Sequence, residues 1–207
     1  MKYKLVIFDF DGTLADSFPW FAGVINEVAD KYRFKKIAER EQETLRGYTV
    51  NQILKHLDVP VWKIPKIAHH LREQMAQDIH EIALFDGVGA LLQHLSQQGA
   101  TLAVVSSNSY ENIRQVLGDN AGAIHHYECG IDVFGKASKL RKVLAKSKMR
   151  PEDAIYIGDE IRDIEAAHEV HIASGSVTWG YNRADVLRTH TPCEIFNSLE
   201  EIVEKVG

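Results

Sequence analysis

Two aspartates, Asp9 and Asp11, stand two positions apart in the stretch FDFDGTLADS, where an apolar run ends. Residues i and i+2 of an extended chain share one face, so both carboxylates are offered to the same side. Two more apolar runs end in polar groups. ATLAVVSSN closes on Ser106, Ser107 and Asn108, and DAIYIGDEIRD carries Asp159 and Asp163. Any one of these is ordinary as a helix cap or turn residue, because Asp, Ser and Asn are favoured there. As a set they imply chemistry. At ~4 Å, each like-charge pair costs roughly 4 kcal/mol at an effective dielectric of 20. Four carboxylates cannot stay ionised together in a dry cleft without a cation. Mg²⁺ takes hard oxygen ligands, usually one or two carboxylates plus a substrate phosphate, so Mg²⁺ and an anionic substrate are the expected ligands. The SSN turn at the start of a helix suits an anion, since free N–H groups and the helix dipole favour phosphate. Lys136 adds a compact positive charge.

These groups need elements that deliver them to one place. YKLVIFDF (3–10), ATLAVVSS (100–107) and DAIYIGD (153–159) are continuous apolar runs of strand length, as in strands buried on both faces. HIASGSVTW (171–179) is also strand-like. Helical patterns lie between them at 88–99, 109–118, 136–148 and 160–170, with Gly99 and Gly118 as stops and Ser109 as an N-cap. Strands alternating with helices predict a doubly wound parallel-sheet α/β core, in which ligands bind beyond the carboxyl ends of the strands. Residues between the first run and about residue 84 lack strand signals. Their apolar spacing predicts helices over 19–32, 50–57 and 61–79, the last interrupted by Pro65. The expected organisation is an α/β core, residues 1–16 and 84–207, with a helical domain inserted at 17–83.

Composition narrows the classes. The 207 residues carry 24 basic and 29 acidic side chains, a net charge of −5, which argues against nucleic acid as partner. No apolar run approaches the ~20 residues needed to span a membrane, and no signal peptide is expected at the amino terminus. The two cysteines, Cys129 and Cys193, form no disulfide framework and fit a reducing cytoplasm. The pairs His69–His70 and His125–His126 lack a third metal ligand at useful spacing. Monomer and homodimer are both open.

DFDGT (9–13), the strand ending in SSN (106–108), Lys136 and GDEIRD (158–163) resemble, in order, the four motifs of the haloacid dehalogenase superfamily. The helical insert resembles the C1-type cap of its phosphoglycolate phosphatase-like branch. LFDGVGALLQHL (84–95) resembles the return into the core, and VTWGYN (177–182) the loop after the fourth motif. Two departures stand out: GKASKL replaces the prolines that often follow the motif lysine, and SSN replaces TN.

The resemblance implies roles. Asp9 would be the nucleophile, forming an aspartyl-phosphate, and Asp11 the general acid and base. Mg²⁺ would be held by Asp9, the backbone carbonyl of Asp11 and Asp159, with Asp163 either a ligand itself or bonded just behind the ligands. Lys136 would stabilise the transferring phosphoryl group, while Thr13, Ser106, Ser107 and Asn108 would contact substrate. LRGYTV (45–50) resembles the cap's substrate-facing turn, so Arg46 and Tyr48 are further candidates. Phe18 and Trp20 are candidates to line the cleft or to pack cap against core. The implied activity is Mg²⁺-dependent hydrolysis of a small-molecule phosphate monoester, with phosphoglycolate as one substrate. A sugar-phosphate phosphotransferase and a non-catalytic phosphate-ligand-binding regulator are the alternatives.

Overall fold

The computed structural model describes residues 2–130 and 135–207. Its centre is a six-stranded, all-parallel sheet of β1 (Leu5–Phe8), β2 (Thr101–Val105), β3 (His126–Glu128), β4 (Ala154–Gly158), β5 (Ala173–Val177) and β6 (Glu194–Phe196). The spatial order is β3-β2-β1-β4-β5-β6. The order reverses at β1, so the crevice beside it is where a ligand belongs in such sheets.

β1 is apolar throughout because both its faces are covered. Val6 and Phe8 join Leu102, Val104, Ile155 and Ile157 in one cluster. Leu5 and Ile7 join Ala103, Val105 and Tyr156 in the cluster on the other face. The helices supplying those layers are α5 (Val88–Gln97), α6 (Tyr110–Leu117), α7 (Lys136–Ser147), α8 (Ile161–Glu169), α9 (Ala184–Thr189) and α10 (Leu199–Val206). In the register, Phe8 pairs with Val104 and with Ile157. The residues that follow these three strands therefore emerge at one edge.

Between β1 and α5 lie four helices and no strand: α1 (Phe18–Tyr32), α2 (Gln42–Leu45), α3 (Val50–His56) and α4 (Ile64–Gln77). This is the inserted helical cap. The chain leaves and re-enters the core side by side, with Ala15 bridging Leu84 antiparallel. Asp16 N donates to Ala83 O at 2.9 Å, and Phe85 N to Leu14 O at 3.0 Å.

One expectation is corrected, and two sets of elements lie where the sequence pattern assigns none. Pro65 does not interrupt a helix; it occupies the first turn of α4, where its missing N–H has no intrahelical partner to lose. Residues 61–63 form a separate 3₁₀ turn before it. The edge strands β3 and β6, of three residues each and mostly half-buried, carry too few alternating positions to register as strands. Helices α9 and α10 complete the carboxyl-terminal part, which the sequence pattern leaves unassigned beyond 179. No helix among the described residues is long and apolar enough to cross a membrane.

Candidate active site

The sheet edge collects the polar residues. Asp9 follows β1 and is buried; its N–H donates to Ile157 O at 2.8 Å, holding it in line with β4. Asp9 Oδ1 accepts from Phe10 N at 2.8 Å, and Oδ2 accepts from Lys136 Nζ at 2.5 Å. The Lys136 ammonium also donates to Asp163 Oδ1 and lies 4.0 Å from Glu160 Oε2. Lys136 is only 3% exposed. Burial alone would lower its pKa; the adjacent Asp163 and Asp9 carboxylates more than offset this and leave it raised. A fixed, charged ammonium results.

Asp159 follows β4 and is fully buried. Thr13 Oγ1 donates to its Oδ1 at 2.7 Å, and Tyr181 N to its Oδ2 at 2.8 Å. Asp163, in the first turn of α8, accepts from Tyr156 OH at 2.9 Å and from Glu160 N at 2.9 Å. Two glycines permit this density. Gly12 has φ +76°, and a Cβ there would fall 2.3 Å from Asp159 Oδ2. At Gly180 a Cβ would fall 2.2 Å from the Asp159 Cβ. No larger residue fits at either point.

Asp9, Asp159 and Asp163 each offer one carboxylate oxygen, all within 4.8 Å of one another and all buried. Burial pushes Asp9 up to about 6, against the pull of Lys136. Asp159 is raised well above the usual carboxylate range by burial first, then by Glu160 and Asp9. Burial therefore makes ionisation of Asp9 and Asp159 costly, and a divalent cation between them would offset that cost. Four carboxylates here, with Glu160, face two cations, Lys136 and Arg162; Glu160 accepts from Arg162 Nε at 2.5 Å. Excess negative charge on hard oxygen donors fits Mg²⁺.

Asp11 is half-buried and less constrained. Its carboxylate accepts from Asn108 Nδ2 at 3.0 Å. Burial raises its pKa, and bonds from Ser17 and Asn108 partly oppose that. Asp9, Asp11, Ser107 and Asn108 line one cleft under the cap. Asn108 is held by its own turn: Oδ1 accepts from Ser109 N at 2.8 Å and from Asn112 Nδ2 at 3.1 Å. Ser109 caps α6, as its sequence position predicts.

The expected site residues separate into groups. Lys136, Asp9, Asp159 and Asp163 converge, and Ser107 and Asn108 reach the cleft. Thr13 bonds Asp159, and the Ser106 hydroxyl accepts from Asn108 N at 3.1 Å. Both stand behind the cleft wall. The structure does not bring Arg46 or Tyr48 to the cleft. Arg46 donates through Nε to Tyr181 O at 3.1 Å and through Nη2 to Gly180 O at 3.0 Å, clamping cap to core. Tyr48 packs its ring against His56. Of the aromatic candidates, Trp20 lines the cleft, and Phe18 packs edge-on against Tyr181.

Among the cleft residues that sequence reasoning does not single out, two polar ones contact the turns of the site. Tyr181 lines the cleft and meets the Ser17 hydroxyl at 3.2 Å; its only signal is membership of VTWGYN. Arg72, on α4, donates through Nη1 to Ser107 O at 3.0 Å, while its Nη2 is buried without a partner among the described residues. A lone arginine on a cap helix carries no sequence signal of this.

Known proteins agree with this architecture. CbbY from Rhodobacter sphaeroides, solved in complex with phosphate, has a TM-score of 0.75 at 21% identity, covering 97% of this chain and 96% of its own. A predicted phosphatase from Clostridium acetobutylicum reaches a TM-score of 0.84 at 22% identity, covering 100% and 99%. At such identities the likeness is one of fold. The phosphoglycolate phosphatase of Synechococcus elongatus is 29% identical over 205 residues, covering 98% of this chain and 97% of its own. The sequence profile of the haloacid dehalogenase-like hydrolases matches residues 6–177, a span that includes Asp9, Asp11, Lys136, Asp159 and Asp163, and the chain belongs to that family.

Proposed function

We propose that this chain hydrolyses small-molecule phosphate monoesters through a phosphoryl group carried on Asp9. The observation that carries the reading is that Asp9 and Asp11 line one cleft, with Asp9 bonded to a buried ammonium beside two more carboxylates. A carboxylate oxygen of Asp9 attacks phosphorus in line with the ester oxygen. The P–O ester bond breaks, and the departing oxygen takes a proton from Asp11. Water then attacks the same phosphorus and gives its proton to Asp11. The bond from phosphorus to Asp9 breaks, releasing phosphate and restoring the carboxylate.

The raised pKa of Asp11 suits a carboxyl that must hold a proton before giving it. Lys136 balances charge on Asp9 and the phosphoryl oxygens. Ser107, Asn108 and Arg72 are the remaining groups for those oxygens, with Ser106 holding the turn. Asp9, Asp159, Asp163 and the Asp11 backbone carbonyl would hold Mg²⁺, which when bound offsets charge on the transferring phosphoryl group. Residues 17–83 act as the cap and residues 1–16 and 84–207 as the catalytic core.

Phosphoglycolate is the first substrate to try, because the Synechococcus relative bears that name. The test is phosphate release from a panel of monoesters with Mg²⁺, for the parent chain and Asp9→Asn. The parent should turn over, and the variant should lose more than about 10⁴-fold in kcat. Near-parental turnover by Asp9→Asn would remove the nucleophile from the scheme.

A further inference from the structure

The cleft does not stop at the carboxylates. It continues into the cap, and carboxylate end and cap extension together enclose about 310 Å³, within the size range of small-molecule sites. Phe21 and Ile25 of α1, Ile53 and Leu54 of α3, and Ile67 and Leu71 of α4 line it. Among the described residues, Arg72 is the only charged side chain the cap gives to it. Its Nη1 is fixed on Ser107 O, in the turn that also carries Asn108, so its charge belongs to the phosphate end. Beyond Arg72 the cap walls carry hydrocarbon and aromatic rings; the other charged lining groups, Glu160 and Arg162, stand on the core side and are bonded to each other. Polar groups placed there would lose their water without replacement partners.

We infer that the substrate is a phosphate monoester whose alcohol carries an extended apolar body, alkyl or aryl, seated among the cap helices while the phosphate faces Asp9. A two-carbon acid such as glycolate leaves most of this cavity unfilled. A hydrocarbon body of six to eight carbons would desolvate against the walls, each buried methylene contributing about threefold to fourfold in binding. The turnover arm of the test rests on the phosphatase reading above, so a binding arm stands beside it.

With Mg²⁺, kcat/KM is measured for methyl, butyl, hexyl and octyl phosphate, 2-(2-naphthyl)ethyl phosphate and phosphoglycolate, all esters of alkyl alcohols. The expected result is a rise of roughly threefold per methylene from butyl to octyl, with the octyl or naphthylethyl ester above phosphoglycolate. Which of the two leads assigns a chain or an aryl body. A flat or falling series, or phosphoglycolate in the lead, overturns the inference and leaves the phosphatase reading intact. If no ester is hydrolysed, that reading falls instead, and calorimetry with octylphosphonate and methylphosphonate decides the cavity. Tighter binding of the octyl compound with a negative heat-capacity change supports the apolar seat; equal affinities overturn it. Ala68→Phe, which narrows the cavity, should lower the octyl-to-methyl ratio of kcat/KM at least tenfold. If that variant does not fold, the phosphonate pair on the parent chain still decides between an apolar seat and none.

Discussion

The floor and the roof of the cleft are made of opposite material. On the floor every buried carboxylate is tied: Asp9 to Lys136 and Phe10 N, Asp159 to Thr13 and Tyr181 N, Asp163 to Lys136, Tyr156 and Glu160 N. The roof offers apolar side chains from three separate helices, and the cavity between them remains open. The floor is preorganised for charge, where a small misplacement is costly. The roof is shaped for bulk, where contacts are non-directional and exchangeable. In the proposed reaction, one chain thus separates the bond it breaks from the alcohol it accepts. Floor substitutions should act alike on all alkyl esters, whose leaving oxygens need the same proton, and roof substitutions should act according to the size and polarity of the alcohol.

Asp11 differs from the rest of the floor in exposure and in the kind of donor: it is half-buried, and the groups that bond its carboxylate, Asn108 and Ser17, are neutral side chains. In the proposed reaction that leaves it open to the departing oxygen. Asp11→Asn should lower kcat by about 10²–10⁴-fold for alkyl phosphates. The loss should shrink for p-nitrophenyl phosphate, whose leaving oxygen needs no proton. An equal loss for both esters would show that Asp11 orients the site without donating a proton.

Lys136 tests the floor's electrostatics. It is 3% exposed and bridges Asp9 and Asp163. Lys136→Met leaves those carboxylates buried and uncompensated. The expected cost is about 3–5 kcal/mol of unfolding free energy in the metal-free protein, read by urea denaturation, with Mg²⁺ returning part of it. An unchanged urea midpoint would mean that Asp9 and Asp163 take up protons without strain, and the floor would be less tightly built than its contacts imply.

Much of the floor is legible in the sequence. Asp9, Ser107, Asn108 and Asp159 follow strands whose continuous apolar runs announce burial on both faces, and parallel sheets carry their chemistry at that edge. Lys136 is legible by order alone, since nothing local distinguishes it from a surface lysine. The roof is legible only as helices. Arg46 reads as a substrate contact because an arginine in a cap turn can serve a carboxylate or a carbonyl equally well. The choice falls to Gly180 and Tyr181, well over a hundred residues away. Arg72 becomes visible only once α4 lies over the Ser107 turn. Such residues depend on how the insert docks, which no local pattern encodes.

Arg46 is where roof and floor meet, and it gives the smallest effect. Its guanidinium holds two carbonyls of the loop that presses Gly180 and Tyr181 N onto Asp159, and it lies 5.3 Å from the Phe18 ring centre. The side chain is 26% exposed, so solvent screens its charge and water can replace part of what it gives. Arg46→Ala should therefore cost only about 1–2 kcal/mol of stability. Because the loop supports Asp159, the Mg²⁺ concentration for half-maximal activity should rise by up to about tenfold, equally for every ester. Titrating Mg²⁺ against phosphoglycolate and octyl phosphate separates the two roles open to this residue. A loss confined to phosphoglycolate would mean that Arg46 swings from the loop to the substrate carboxylate, and the roof would then read charge as well as bulk. An equal loss keeps it as the clamp that seats an apolar roof on a charged floor.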